Sequence, residues 1–110
     1  MNTQNIQTAI TELRKRLTQR LGDHVRLYVF GSVARGSYSS ESDIDVLVLV
    51  PGKLTNSLEE NIFDIAYDVE LEYDVVFGVV VYSHDFWRSS RGYSMPLHKI
   101  IREEGFAVGV

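Results

Sequence analysis

The sequence predicts a small α/β domain, a mixed sheet of three or more strands with helices packed on it. Three observations carry that expectation. Apolar residues recur at helical spacing in separated stretches, an almost unbroken apolar run of strand length lies between them, and breaks rich in Gly, Ser and Pro punctuate the chain. At 110 residues the chain has room for one hydrophobic core and reads as a single domain over residues 1–110.

Ile6, Ile10, Leu13, Leu17 and Leu21 form one stripe of an amphipathic helix over 3–21, with Gly22 placed to stop it. Val25 to Phe30 alternates and is rich in β-branched and aromatic residues, so it reads as a strand ending at Gly31-Ser32. Residues 31–42 are small and polar, a loop with at most one helical turn after Ser32. Ile44 to Val50, closed by Pro51-Gly52, predicts a central strand buried on both faces. Ser57-Leu58-Glu59-Glu60 has the capping-box pattern, and Leu58, Ile62, Ile65, Ala66 and Val69 continue a helical stripe. Tyr73 to Tyr82 predicts a third strand interrupted by Gly78. A last helix is expected over 96–104, with Pro96 in its first turn and Gly105 past its end.

Composition narrows the function. Apolar residues make up 45% and charged residues 24%, which excludes a disordered chain. No run approaches the roughly 18 apolar residues of a membrane span, and the first residues lack a secretory pattern, so a cytoplasmic protein without membrane contact is expected. With no cysteine, a thiolate zinc site and a cysteine nucleophile are excluded. The net charge of −4 disfavours nucleic acid as a partner. Residues 41–74 hold ten acids against Lys53 alone, a pattern usually belonging to a solvated helix face.

Asp43 and Asp45 stand apart from that background. On a strand they share one face, about 6–7 Å apart along the chain, where two carboxylates repel unless a divalent cation such as Mg²⁺ joins them. Upstream, Gly31 permits close backbone approach and Ser32 offers a hydroxyl and an amide at the start of a turn, the usual means of holding a phosphate. A phosphate cradle followed by an acidic pair points to a Mg²⁺-bound nucleoside triphosphate. No Lys-Ser/Thr follows Gly36, so the segment is not a P-loop.

Gly31-Ser32, ten intervening residues and then Asp43-Ile-Asp45 at the head of an apolar strand resemble the signature of the DNA polymerase β-like nucleotidyltransferases. The fuller strings Gly31-Ser-Val-Ala-Arg-Gly36 and Ser42-Asp-Ile-Asp-Val-Leu-Val48 resemble the minimal nucleotidyltransferase (MNT) branch. Tyr82 to Trp87 and Ile100 to Gly105 are similar to its closing strand and last helix, so the likeness covers residues 25–106. It implies ATP as donor and two Mg²⁺ ions held by Asp43 and Asp45. It also implies phosphate contacts from Gly31, Ser32, Arg35 and Ser42, and in-line attack of a hydroxyl on the α-phosphorus. In that branch the partner is a HEPN-type toxin and the acceptor one of its tyrosines.

The family's third carboxylate has no clear counterpart, because Gly78 falls at its place. Asp74 is the nearest acid on the expected strand, either brought in by a bulge at Gly78 or simply a strand-entry acid; Glu70 and Glu72 are weaker candidates. Two further readings follow: a degenerate fold that neutralises its partner by contact, and an aminoglycoside-type enzyme acting as a homodimer. His24, His84 and His98 lack metal-ligand spacing and are expected in local hydrogen bonds or in solvent. Phe86, Trp87 and Tyr93 are expected to cover one end of the core.

Overall fold

In the computed structural model, which describes residues 3–39 and 41–109, the first helix α1 (Thr3–Leu21) forms as its stripe predicts. Ile6, Leu13 and Leu17 are buried, and Gly22, at φ 93°, ends the helix by donating its N–H to the Thr18 carbonyl at 2.8 Å. Strand β1 (Arg26–Phe30) leads into a single helical turn, α2 (Gly31–Arg35), and then to β2 (Ile44–Val50). All residues of β2 except Asp45 are buried, as expected of an apolar run covered on both faces.

The helix α3 (Asn56–Tyr73) is longer at both ends than its apolar stripe indicates. Its N-cap is Thr55, whose hydroxyl accepts the Leu58 N–H at 3.1 Å, so the capping-box reading at Ser57 sits two residues late. At the other end, residues 73 and 74 are not strand. Tyr73 closes α3, and Asp74 caps it in the left-handed region at φ 54°, a conformation Asp tolerates better than most residues. Strand β3 (Phe77–Ser83) starts three residues later, and Gly78 lies inside it rather than interrupting it. The Glu70 carboxylate secures this junction by accepting the Phe77 N–H at 2.6 Å.

The sequence reading lacks two short helices, α4 (His84–Arg88) and α5 (Ser90–Tyr93), each capped by a serine hydroxyl. Helix α6 (Pro96–Glu104) falls where Pro96 and Gly105 place it, and a two-residue strand β4 (Phe106–Ala107) follows. The sheet order is β3-β2-β1-β4, with β2 and β3 parallel and the other pairs antiparallel. It is therefore a mixed four-stranded sheet, with β4 covering part of the otherwise open edge of β1.

Helices α1 and α3 bury Leu13, Leu17, Ile62 and Val69 against one sheet face, together with Val29, Val46 and Val48. On the opposite face Leu47 and Leu49 pack with Trp87 and Ile101. Among the described residues no helix is long and apolar enough to cross a membrane.

Candidate active site

Asp45 is the second residue of the central strand and stands in register between Phe30 of β1 and Gly78 of β3. Its carboxylate occupies a slot between two glycines. A Cβ on Gly31 would overlap Oδ2, and a Cβ on Gly78 would lie 2.8 Å from Oδ1. Gly31 has a second requirement for glycine, since it opens α2 at φ 74° directly after the extended Phe30. Tertiary placement thus gives Gly78 a purpose that sequence reasoning missed: its missing side chain makes room for Asp45. No local sequence signal marks it, because strand pairing sets the register that brings Gly78 opposite Asp45.

Burial pushes the Asp45 carboxyl above its ordinary range; the negative charge of Asp43 adds to the shift, and Arg35 opposes it. Among the described residues no hydrogen bond or ion pair compensates Asp45. Asp43, exposed at the mouth of β2, is held by the next residue, whose N–H donates to the Val76 carbonyl at 2.8 Å. Two hard oxygen donors, one of them partly desolvated and short of positive charge, fit a divalent cation such as Mg²⁺.

The other candidates divide into those at the pair and those away from it. Ser32 is half-buried in the single turn of α2, one residue beyond the Asp45 slot. Arg35 ends that turn, and one guanidinium nitrogen meets both Glu104 carboxylate oxygens, at 3.1 and 3.0 Å. Ser42 closes a turn instead of facing open space, its hydroxyl accepting the Ser39 N–H at 2.9 Å. Asp74 caps α3 where strand was expected. Among the described residues no group of three His, Asp or Glu side chains could hold a metal. Glu70 is committed to the Phe77 N–H, and Glu72 is paired with Arg16.

The histidines serve locally. His84 Nε2 bonds the His24 carbonyl at 2.8 Å, and His98 stacks on Trp87 with centroids 4.5 Å apart. Trp87 is buried and covers the second core, and Phe86 stacks on Tyr82; Tyr93 is mostly exposed and lies outside that role.

Comparison with known proteins identifies the family and the fold. The family described as "Nucleotidyltransferase domain" matches residues 10–106. The Methanocaldococcus jannaschii protein named "Putative protein adenylyltransferase MJ0141" is 39% identical over 74 residues, covering 66% of this chain and 75% of that protein. A second protein of that organism, "Putative protein adenylyltransferase MJ0604", is 29% identical over 92% of this chain and 95% of its own. Among solved structures, a toxin-antitoxin with AMP-PNP superposes with TM-score 0.60 at 23% identity, covering 86% of this chain and 68% of that one. A mutant of the toxin-antitoxin MntA-HpeT gives 0.58 at 20% identity, with the same coverage. At these identities the structural likeness speaks to the fold.

Proposed function

This chain belongs to the nucleotidyltransferase domain family, and on that premise we propose that it transfers AMP from ATP to a tyrosine hydroxyl of a HEPN-type toxin. The observation that carries the reading is the Asp43–Asp45 pair, with the Asp45 carboxylate seated between Gly31 and Gly78. The names of the M. jannaschii relatives support a protein acceptor, and the likeness to a toxin-antitoxin with AMP-PNP supports ATP and a toxin partner.

Asp43 and Asp45 are the residues to hold Mg²⁺, which supplies charge neutralisation for the triphosphate when bound. The Gly31 backbone, free of a side chain, and the Ser32 hydroxyl and amide would hold the β- and γ-phosphates. Arg35 adds positive charge at the end of the same turn, and Ser42 fixes the turn that delivers Asp43. In the transfer the acceptor oxygen bonds to the α-phosphorus, the bond to the β-phosphate breaks and pyrophosphate leaves. The hydroxyl proton passes to water. Asp74, at the end of α3, is outside this set.

One observation favours a second reading, in which the chain neutralises its partner by contact. Gly78 replaces the family's third acid, and no other acid among the described residues completes a three-carboxylate group. Incubation of the toxin with α-labelled ATP, Mg²⁺ and this chain separates the two. Label on a toxin tyrosine that disappears with Asp43→Asn or Asp45→Asn supports transfer. Neutralisation without label, unchanged in those variants, supports contact.

A further inference from the structure

Helix α3 buries one row of apolar residues and displays another. Ile62, Ala66 and Val69 face the core, whereas Phe63, Tyr67 and Leu71 are 42%, 58% and 66% exposed. Their spacing of four sets them in one ridge about 12 Å long on the solvent side. Such an i, i+4 ridge is the surface by which one helix seats in the groove of another. The apolar character resumes beyond the Asp74 cap at Val76, 53% exposed, whose carbonyl accepts the N–H of Ile44, the residue between Asp43 and Asp45. The helix bearing the ridge therefore runs into the strand that flanks the carboxylate pair.

Charge selects the occupant. Helix α3 holds Glu59, Glu60, Asp64, Asp68, Glu70 and Glu72, and no Lys, Arg or His. Two copies paired through α3 would set Glu59, Glu60, Asp64 and Asp68 against each other with no base in either helix to answer them; Glu70 and Glu72 are engaged by the Phe77 N–H and Arg16. Docking α3 on the basic α1 of a second copy would be head-to-tail, an arrangement that need not close. Nucleic acid and anionic lipid surfaces are repelled by the same acids.

The geometry points to the α3 ridge Phe63–Tyr67–Leu71 as the docking surface for a helix of the acceptor protein that carries an apolar row flanked by Lys or Arg. Seated there, the partner lies along the helix whose C-terminal end leads into β3, the strand that pairs with the Asp45-bearing β2. The assignment rests on the protein-acceptor reading above.

The test uses the full chain and two synthetic peptides of about 18 residues, long enough to hold a helix on binding. Both carry one Leu row, flanked by Lys in the first and by Glu in the second. The Leu/Lys peptide is expected to bind, and the Leu/Glu peptide to bind at least about tenfold more weakly. Tyr67→Ser with Leu71→Ser is expected to weaken the Leu/Lys peptide by about tenfold or more, the scale of losing contacts at the centre of an interface. Both positions are exposed, so the far-UV spectrum and Tm of the double variant stay near those of the parent. Equal binding of the two peptides, no binding of either, or equal binding by parent and variant overturns the assignment. Ridge-dependent binding with no AMP on any protein acceptor upholds the ridge and removes the transfer reading instead.

Discussion

Gly78 is the register partner of Asp45 across the β2–β3 pair, and Asp45 Oδ1 lies 2.8 Å from the place a Cβ on Gly78 would take. An Ala there must move the carboxylate, the free end of a short side chain, while the strand backbone is undisturbed. Gly78→Ala is therefore expected to keep or raise stability, by up to about 0.5 kcal/mol, since glycine weakens a strand interior. Transfer activity is expected to fall by about 10–100-fold, because reacting groups displaced by a fraction of an ångström lose alignment. Urea unfolding and a labelled-ATP assay on the same preparation check the two opposite signs.

Gly31→Ala has no such separation of effects. The residue sits at φ 74° and its new Cβ would overlap Asp45 Oδ2. The left-handed backbone alone costs about 1–2 kcal/mol. Stability and transfer are both expected to drop, read as a lowered Tm and a loss of Mg²⁺-ATP binding by calorimetry.

Asp45 also predicts a pH dependence. Burial, then the charge of Asp43, raises its carboxyl above the unfolded value of 3.8, with Arg35 partly offsetting them. Between the unfolded and folded values the native state binds more protons than the unfolded state, so this residue lowers stability as pH rises through that window. Its penalty is complete above the folded value and absent well below 3.8. In EDTA at neutral pH, Asp45→Asn is expected to raise Tm, with the gain shrinking as pH approaches 3.8. Mg²⁺ with ATP is expected to raise the Tm of the parent and not of the variant.

Arg35 and Glu104 offer a measure of how the triphosphate side is held. Their ion pair joins α2 to α6 with side chains 52% and 24% exposed, so breaking it is expected to cost under about 1 kcal/mol. Arg35→Ala is expected to weaken ATP binding by about tenfold, the scale of one lost charge-assisted contact. Glu104→Gln releases the guanidinium and is expected to leave ATP binding equal or tighter. Paired titrations of the two variants check this difference in sign.

Asp74 provides the contrasting case. It caps α3 at φ 54°, where glycine is favoured. Asp74→Gly is expected to be neutral or stabilising by up to about 1 kcal/mol. Transfer is expected to stay within about twofold of the parent, unlike Asp43→Asn, which falls by about 100-fold or more.

Much of the molecule was legible without coordinates. The stripe of α1, the doubly buried β2 and the Pro96 and Gly105 limits of α6 are local signals, written in spacing and in residue type. The motif residues Gly31, Ser32, Asp43 and Asp45 were legible for the same reason, since a turn and the head of one strand contain them all. The end of α3 was not. Tyr73 to Tyr82 is β-rich in composition, but Tyr73 completes a helical turn, and the Glu70 carboxylate takes the Phe77 N–H seven residues on. That single junction moved Asp74 from an expected strand to a helix cap.

The chain by itself determined the α/β class, the family, and a carboxylate pair at the head of the central strand, because periodicity and short motifs record local backbone demands; Asp45 lies in β2, and Asp43 stands just before it. Tertiary structure alone decided which side chains share a site. Gly78 meets Asp45 only through parallel pairing of two strands separated by α3, and Arg35 meets Glu104 only across 69 residues of chain. Such contacts depend on sheet register and helix packing, which no local pattern encodes.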